Sequence, residues 1–124
     1  MSCLFNSLSY FIKEESNIIR NKICDYLEEN KQIIDGIETK IILQYELPDY
    51  IKKMRKNTTW GGAIEIQVAC NIWKCKIIVY NYRDIKHSRI DFYPISCKHN
   101  NIYEIEWTGG HYEPKKKIIL FIFI

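Results

Sequence analysis

The spacing of apolar residues predicts two helices at the start of the chain. Leu4, Leu8 and Phe11 fall on one face of a helix, and Ser2 is in position to cap its N-terminus. Beyond Ser16, apolar residues recur at the spacing of a second helical core stripe. The members of this stripe are Ile19, Ile23, Tyr26 and Leu27. We therefore expect two amphipathic helices, each with one buried face.

The middle of the chain combines breaking signals with one strongly apolar segment. Asp35-Gly36 is a turn signal, and a short helix is predicted around Asp49 to Lys56. Residues 63–73 are apolar on nearly every side, and Glu65 is their only charged residue. This pattern predicts a buried helix with Glu65 in its first turn, where the helix dipole favours negative charge.

Strand patterns follow in the second half of the chain. Ile77–Tyr80 is a continuous β-branched and aromatic run, which is typical of a strand covered on both faces. Residues 89–92 and 102–107 alternate between apolar and polar, as half-buried strands do. Thr108-Gly109-Gly110 predicts a turn, and residues 117–124 predict a final strand. Helices early and strands later indicate an α+β domain with one sheet.

Composition narrows the class of protein. A chain of 124 residues suits one domain, and a net charge of +3 is too weak to indicate nucleic-acid binding by itself. No stretch approaches the roughly 18 apolar residues that a membrane-spanning helix needs. Five cysteines without a secretory signal pattern indicate free thiols in a reducing compartment. We expect the cytoplasm, or a host cytoplasm if the source is viral.

Cys3 is the first candidate for chemistry, because a predicted helix begins beside it. The thiolate is the reactive form of cysteine, and a helix N-terminus stabilises negative charge. A buried structural cysteine or a flexible terminal one is the alternative interpretation, since free cysteine is commonly a small core hydrophobe.

His111 is the second candidate, because it follows a Gly-Gly turn at the end of a predicted strand. Residues two apart in a strand share a face, so Glu113 can reach the imidazole and fix its tautomer. A cysteine, a histidine and an orienting acid are the groups that thiol nucleophilic catalysis requires. His87 and His99 lie in polar surroundings and are interpreted as solvated surface residues.

Other features have structural interpretations. Trp60-Gly61-Gly62 fits a tight loop with an aromatic plug as well as it fits a functional loop. Cys70 and Cys75 make a poor zinc site, since Cys70 lies in the apolar helix and no histidine is near in sequence. The basic clusters within 52–56 and 115–117 are explained most simply as solvated faces; contact with RNA or an acidic protein is the alternative.

Taken in order, these segments resemble the OTU (ovarian tumour) family of cysteine proteases, which cleave ubiquitin from conjugates. Residues 3–8 resemble the nucleophile segment, whose usual form is Asp-Gly-Asn-Cys-Leu-Phe-x-Ser, and residues 20–30 resemble the second helix. Residues 59–69 are similar to the central Trp-Gly-Gly motif, and residues 110–113 to the histidine segment, usually His-Tyr-Asp or His-Tyr-Asn. Each motif alone is weak, but all occur in the family's order over nearly the whole chain.

The resemblance implies a fold, an activity and a set of residue roles. Residues 1–124 would form a single OTU-like α+β domain in which helices flank a small central mixed β-sheet. Cys3 would be the nucleophile, His111 the general base, and Glu113 the residue that orients His111. The reaction would be hydrolysis of isopeptide bonds at the ubiquitin C-terminus, with ubiquitin or its conjugates as partners. No cofactor, metal, membrane or nucleic acid is implied, and we expect a monomer.

One departure from the family concerns the segment before Cys3. Met1-Ser2 stands where the family has Asp-Gly-Asn, a loop that supplies backbone N–H groups to the oxyanion hole. Losing one such donor can cost on the order of 100- to 1,000-fold in turnover. Three explanations are open: the sequence is mis-started or a fragment, the enzyme is weakened but works, or the protein is an inactive relative that binds ubiquitin. A basic nucleic-acid-binding domain is a further hypothesis that the motif order does not support.

Overall fold

The computed structural model describes residues 2–83, 86 and 88–116. Within them the helices are α1 (Cys3–Ile12), α2 (Ser16–Glu28), α3 (Thr39–Leu43), α4 (Tyr50–Met54) and α5 (Ala63–Trp73). The strands are β1 (Gln32–Ile34), β2 (Ile37–Glu38), β3 (Cys75–Asn81), β4 (Arg89–Phe92), β5 (Asn101–Trp107) and β6 (Tyr112–Pro114). The predicted final strand, residues 117–124, and His87 lie outside the described residues.

The larger sheet contains four strands in the order β4-β3-β5-β6. The central pair, β3 and β5, is parallel, with Val79 opposite Ile105, whereas both edge strands pair antiparallel. The sheet is therefore mixed and helices accompany it, so the predicted α+β class is confirmed.

The prediction of one sheet was wrong, because β1 and β2 form a separate two-stranded hairpin. Gly36 closes this hairpin with φ of 80°, a left-handed conformation that glycine adopts readily. The turn at Asp35-Gly36 was predicted, but the flanking strands of three and two residues are too short to show alternation.

The core lies between the four-stranded sheet and helices α1, α2 and α5. The predicted stripes are confirmed: Leu4, Leu8, Ile19, Ile23 and Leu27 are at most 2% exposed, and Phe11 and Tyr26 are partly buried against the same core. The predicted buried helix is also confirmed, since α5 contributes Ile66, Val68 and Ala69 to the same core as Ile77, Val79 and Ile105. Burial of this apolar surface is the main favourable contribution to folding.

The start of α1 differs in one respect from the sequence prediction. Ser2 is the residue before the helix, but its hydroxyl makes no capping hydrogen bond. It donates instead to the carbonyl of Asn57 at 3.3 Å and accepts from the guanidinium of Arg20 at 3.2 Å. Ser2 therefore connects the N-terminal segment to distant parts of the chain.

Among the described residues, no helix has the length and apolar character needed to cross a lipid bilayer.

Candidate active site

Cys3 is the first residue of α1, and its side chain is half-buried. The helix is anchored directly beyond it, because Leu4 and Phe5 are almost fully buried and the Ser7 hydroxyl donates to the Cys3 carbonyl at 2.8 Å. The first N–H groups of a helix have no acceptor within the helix, and the helix dipole makes this end positive. The thiol therefore lies where developing negative charge is stabilised.

The structure brings this helix against β6, the strand that follows His111. Tyr112 is half-buried there, and its pKa is raised above the ordinary value of 10.0. Burial is the largest cause, and the neighbouring Cys3 and Glu65 groups add to it. Cys3 thus lies within electrostatic range of the residue next to His111, although more than 100 positions separate them in sequence.

His111 and Glu113 form the pair that the sequence predicts. The imidazole Nε2 lies 3.1 Å from Oε1 of Glu113, and the two side chains are 56% and 61% exposed. The preceding turn is closed by the Thr108 N–H, which donates to the His111 carbonyl at 3.0 Å. Because Glu113 occupies Nε2, the Nδ1 atom is the ring nitrogen left for a second partner.

The Trp60-Gly61-Gly62 loop packs between these two segments. A Cβ atom on Gly61 would lie 2.7 Å from Leu4 Cδ2 and 3.0 Å from Phe5 Cζ, so only glycine permits this approach to α1. On the other side, the Trp60 ring lies against Gly110, immediately before His111. The loop therefore contacts both α1 and the turn that precedes His111.

Glu65 anchors this loop through a hydrogen bond to Gly62. Its carboxylate accepts a hydrogen bond from the Gly62 N–H and another from the Tyr50 hydroxyl, each 2.7 Å long. The side chain is fully buried, and burial raises the pKa of the carboxyl above 4.5, although both hydrogen bonds act in the opposite direction. The expected placement in the first turn of α5 is confirmed, and Glu65 also caps that helix.

Arg20 is a buried residue that sequence reasoning missed. It is 1% exposed, and its guanidinium donates to the carbonyls of Met54 and Thr59 at 2.8 and 2.9 Å. Burial lowers the pKa of this group, and the neighbouring Cys24 and Glu65 oppose that shift. A signal was present, since Arg20, Cys24 and Leu27 recur at helical spacing on the buried face of α2.

Three further cysteines and His99 have surroundings that indicate a structural role. Cys70 and Cys75 are both fully buried, and the described residues contain no group of three ligands that could hold a metal. Burial raises the pKa of the Cys24 thiol to about 11, which keeps it protonated. The interpretation of His99 as a solvated residue was wrong. Its side chain is half-buried, and the centroid of its ring lies 6.0 Å from the centroid of the Tyr93 ring.

Several members of the two basic clusters contact side chains of other elements. Arg55 pairs with Asp25 at 2.8 Å, and its pKa is raised chiefly by that hydrogen bond. The ammonium group of Lys115 lies 4.1 Å from the centroid of the Tyr80 ring, and that of Lys116 lies 5.4 Å from Tyr10. Lys52, Lys53, Lys56 and Lys116 are exposed, as the interpretation of solvated faces expects, and Lys117 lies outside the described residues.

Comparison with known proteins identifies the family. The family model for the OTU-like cysteine protease matches residues 2–112. Ubiquitin thioesterase OTU1 of the mouse, Mus musculus, is 28% identical over 123 residues, a match that covers 94% of this chain and 34% of the relative. The chain thus spans about a third of the length of the curated relatives it matches.

Two solved structures have the same fold. An OTU domain in complex with ubiquitin superposes with a TM-score of 0.72 at 25% identity, over 91% of this chain and 62% of that one. The viral OTU protease domain from Dera Ghazi Khan virus superposes with a TM-score of 0.67 at 23% identity, over 91% of this chain and 72% of that one. With the family model matching from Ser2 through Tyr112, the chain belongs to the OTU family of cysteine proteases.

Proposed function

We propose that this protein is a cysteine-type deubiquitinase that hydrolyses isopeptide bonds at the C-terminus of ubiquitin. Family membership supports the reaction class, and relatives named ubiquitin thioesterases support the substrate. The observation that carries the proposal is the packing of α1, which begins with Cys3, against β6, the strand that follows His111 and contains Glu113.

The proposed reaction is acyl transfer through a thioester. Nδ1 of His111 removes the thiol proton of Cys3, and the sulfur attacks the carbonyl carbon of the terminal glycine of ubiquitin. Collapse of the tetrahedral intermediate breaks the C–N bond, and the imidazolium gives its proton to the leaving amine. Water, deprotonated by His111, then attacks the thioester, which releases the ubiquitin carboxylate and regenerates the thiol.

The surrounding groups have distinct roles in this scheme. Glu113 holds Nε2, which fixes the tautomer and stabilises the imidazolium that forms. In this scheme the free N–H groups at the start of α1 stabilise the substrate carbonyl oxygen as it becomes negative. Trp60 acts as a support beside the histidine turn and takes no part in proton transfer.

We also propose a reducing compartment such as the cytoplasm, and residues 1–124 as one catalytic domain. All five cysteines lie in the described part of the chain and are free thiols, and the proposed nucleophile works only while it stays reduced.

The test is turnover of ubiquitin that carries a C-terminal fluorogenic amide. We expect hydrolysis by the wild type, and loss of at least about 1,000-fold in kcat for Cys3→Ala and His111→Ala. Cys97→Ala is the matched control, because Cys97 is exposed and free. Folded wild-type protein that leaves the substrate intact, or activity that survives Cys3→Ala, contradicts the proposal.

A further inference from the structure

Arg20 joins three segments that are distant in sequence. Its guanidinium donates to the Met54 carbonyl at the end of α4, to the Thr59 carbonyl and to the Ser2 hydroxyl, at 2.8, 2.9 and 3.2 Å. The same group lies 4.1 Å from the centroid of the Phe5 ring, in the first turn of α1. Two of these contacts flank Cys3 in sequence, and a third immediately precedes Trp60.

Burial of this cation is costly unless its donors are satisfied. A buried ion pair or cation seldom adds stability over a well-packed apolar residue of similar volume, so stability alone is a weak account of Arg20. The planar guanidinium group provides fixed geometry, because its N–H donors can bind several acceptors at set angles. A lysine ammonium is a single point charge and cannot span the same acceptors while stacking on Phe5.

We infer that Arg20 is a positioning residue, which fixes the segment before Cys3 against the loop that leads into Trp60. The inference rests on the proposed function, because it assigns Arg20 a role in that site. Arg20 touches neither a substrate nor the reacting atoms; it acts through Ser2, Phe5 and Thr59. Without it, Ser2 is held on this side by its bond to Asn57, so the start of α1 gains freedom relative to the loop.

The predicted kinetic effect falls on turnover, because a small displacement of the nucleophile weakens alignment in the transition state. A misplacement of about 1 Å can lower a rate on the order of 100-fold. We expect Arg20→Lys to lower kcat about 10- to 100-fold and to change KM by less than about twofold. Ser2→Ala removes one of the contacts of Arg20, together with the Ser2–Asn57 bond, and should lower kcat by about threefold.

The experiment compares wild type, Arg20→Lys, Ser2→Ala, the double variant and Ile23→Val in steady-state hydrolysis of the fluorogenic ubiquitin amide. Ile23 is buried on the same helix but makes none of these polar contacts, so Ile23→Val controls for loss of stability. The double variant should be slower than Arg20→Lys by less than the effect of Ser2→Ala alone, because both changes remove the Arg20–Ser2 bond and only the Ser2–Asn57 bond is lost in addition. An unchanged kcat in folded Arg20→Lys, or fully multiplicative effects of the two changes, overturns the inference.

A second readout does not depend on ubiquitin. Amide hydrogen exchange at residues 56–60 should be at least about tenfold faster in Arg20→Lys than in Ile23→Val. If the wild type hydrolyses nothing, the proposed function fails, while this exchange difference still decides whether Arg20 holds the loop; equal exchange overturns it. If Arg20→Lys fails to fold, Ser2→Ala decides, and an unchanged kcat in that variant overturns the inference.

Discussion

Within the part of the chain that the structure describes, His111 contacts Glu113 through Nε2, and the proposed mechanism uses Nδ1 for the thiol proton. Glutamate stands where the family usually has aspartate or asparagine, and its longer side chain still reaches the imidazole at 3.1 Å. Both side chains are more than half exposed, so water competes with the interaction. The pair orients the ring more than it supplies electrostatic stabilisation.

This balance predicts a graded response at position 113. Glu113→Gln keeps an oxygen acceptor for the imidazole and should lower kcat by less than about tenfold. Glu113→Ala removes the acceptor and should lower kcat about 10- to 100-fold, with KM nearly unchanged. Turnover of the fluorogenic ubiquitin amide measures both. Equal activity of Glu113→Ala and wild type would show that Glu113 does not orient His111.

Glu65 predicts a pH dependence of stability. Burial raises the pKa of its carboxyl in the folded protein, so above pH 4.5 the folded state retains a proton that the unfolded chain has released. The free energy of unfolding should therefore decrease as the pH rises from 4.5 towards the raised pKa. Glu65→Gln cannot ionise, so its stability relative to wild type should grow over that interval.

Urea unfolding at a series of pH values from about 4 to about 7 measures this difference. Glu29→Gln, which changes an exposed glutamate paired with Lys31, is the control and should follow the wild-type curve. A constant offset between Glu65→Gln and wild type at every pH would rule out a raised pKa for Glu65.

At the scale of elements, the Trp60–Gly62 loop offers two neighbouring glycines with different surroundings. A Cβ on Gly61 would meet Leu4 and Phe5 in the core, whereas a Cβ on Gly62 would meet nothing within 4 Å. Gly61→Ala should cost about 1–3 kcal/mol in the free energy of unfolding, because α1 must move away from the loop. Gly62→Ala is the matched control and should cost less than about 1 kcal/mol.

Chemical denaturation gives both values, and the kcat of each variant shows whether displacement of α1 reaches Cys3. Gly61→Ala should lose turnover as well as stability, since Leu4 is adjacent to Cys3. Equal stability of the two variants would contradict the close packing of loop and helix.

The elements that sequence predicted best are those with long periodic patterns. The ends of the predicted helix at residues 63–73 agree with the structure, and the alternation in 102–107 identified β5. The β1–β2 hairpin and α3 were missed, because two to five residues carry too little periodicity. The sequence predicted the contact between His111 and Glu113 from their spacing in a strand, and the proposed role of Cys3 stays a prediction. The contacts of Arg20 depend on tertiary packing that no local pattern encodes.

At the scale of the whole molecule, the proposed site depends on two distant segments that meet beside one sheet. Helix α1 contacts β6, and β6 extends the parallel pair β3–β5 through antiparallel pairing with β5. The Trp60 loop at the start of α5 lies between them. The sheet therefore serves as the common frame that sets the position of His111 relative to Cys3.

We expect this protein to bind ubiquitin even when a substitution abolishes catalysis. His111→Ala should show a ubiquitin-dependent rise in melting temperature similar to that of the wild type, because a ligand that binds only the folded state stabilises it. An unrelated small protein at the same concentration is the control. A non-catalytic binding module predicts the same rise but no wild-type turnover, so the two measurements together separate the two functions.

In the proposed mechanism, His111 activates the Cys3 thiol for attack on the ubiquitin C-terminus. The most direct measurement treats the folded protein with ubiquitin bearing a C-terminal electrophile and locates the adduct by peptide mass spectrometry. We expect one covalent adduct at Cys3, none in Cys3→Ala, and markedly slower formation in His111→Ala. An unmodified folded protein, or an adduct at the exposed Cys97 instead, would contradict it.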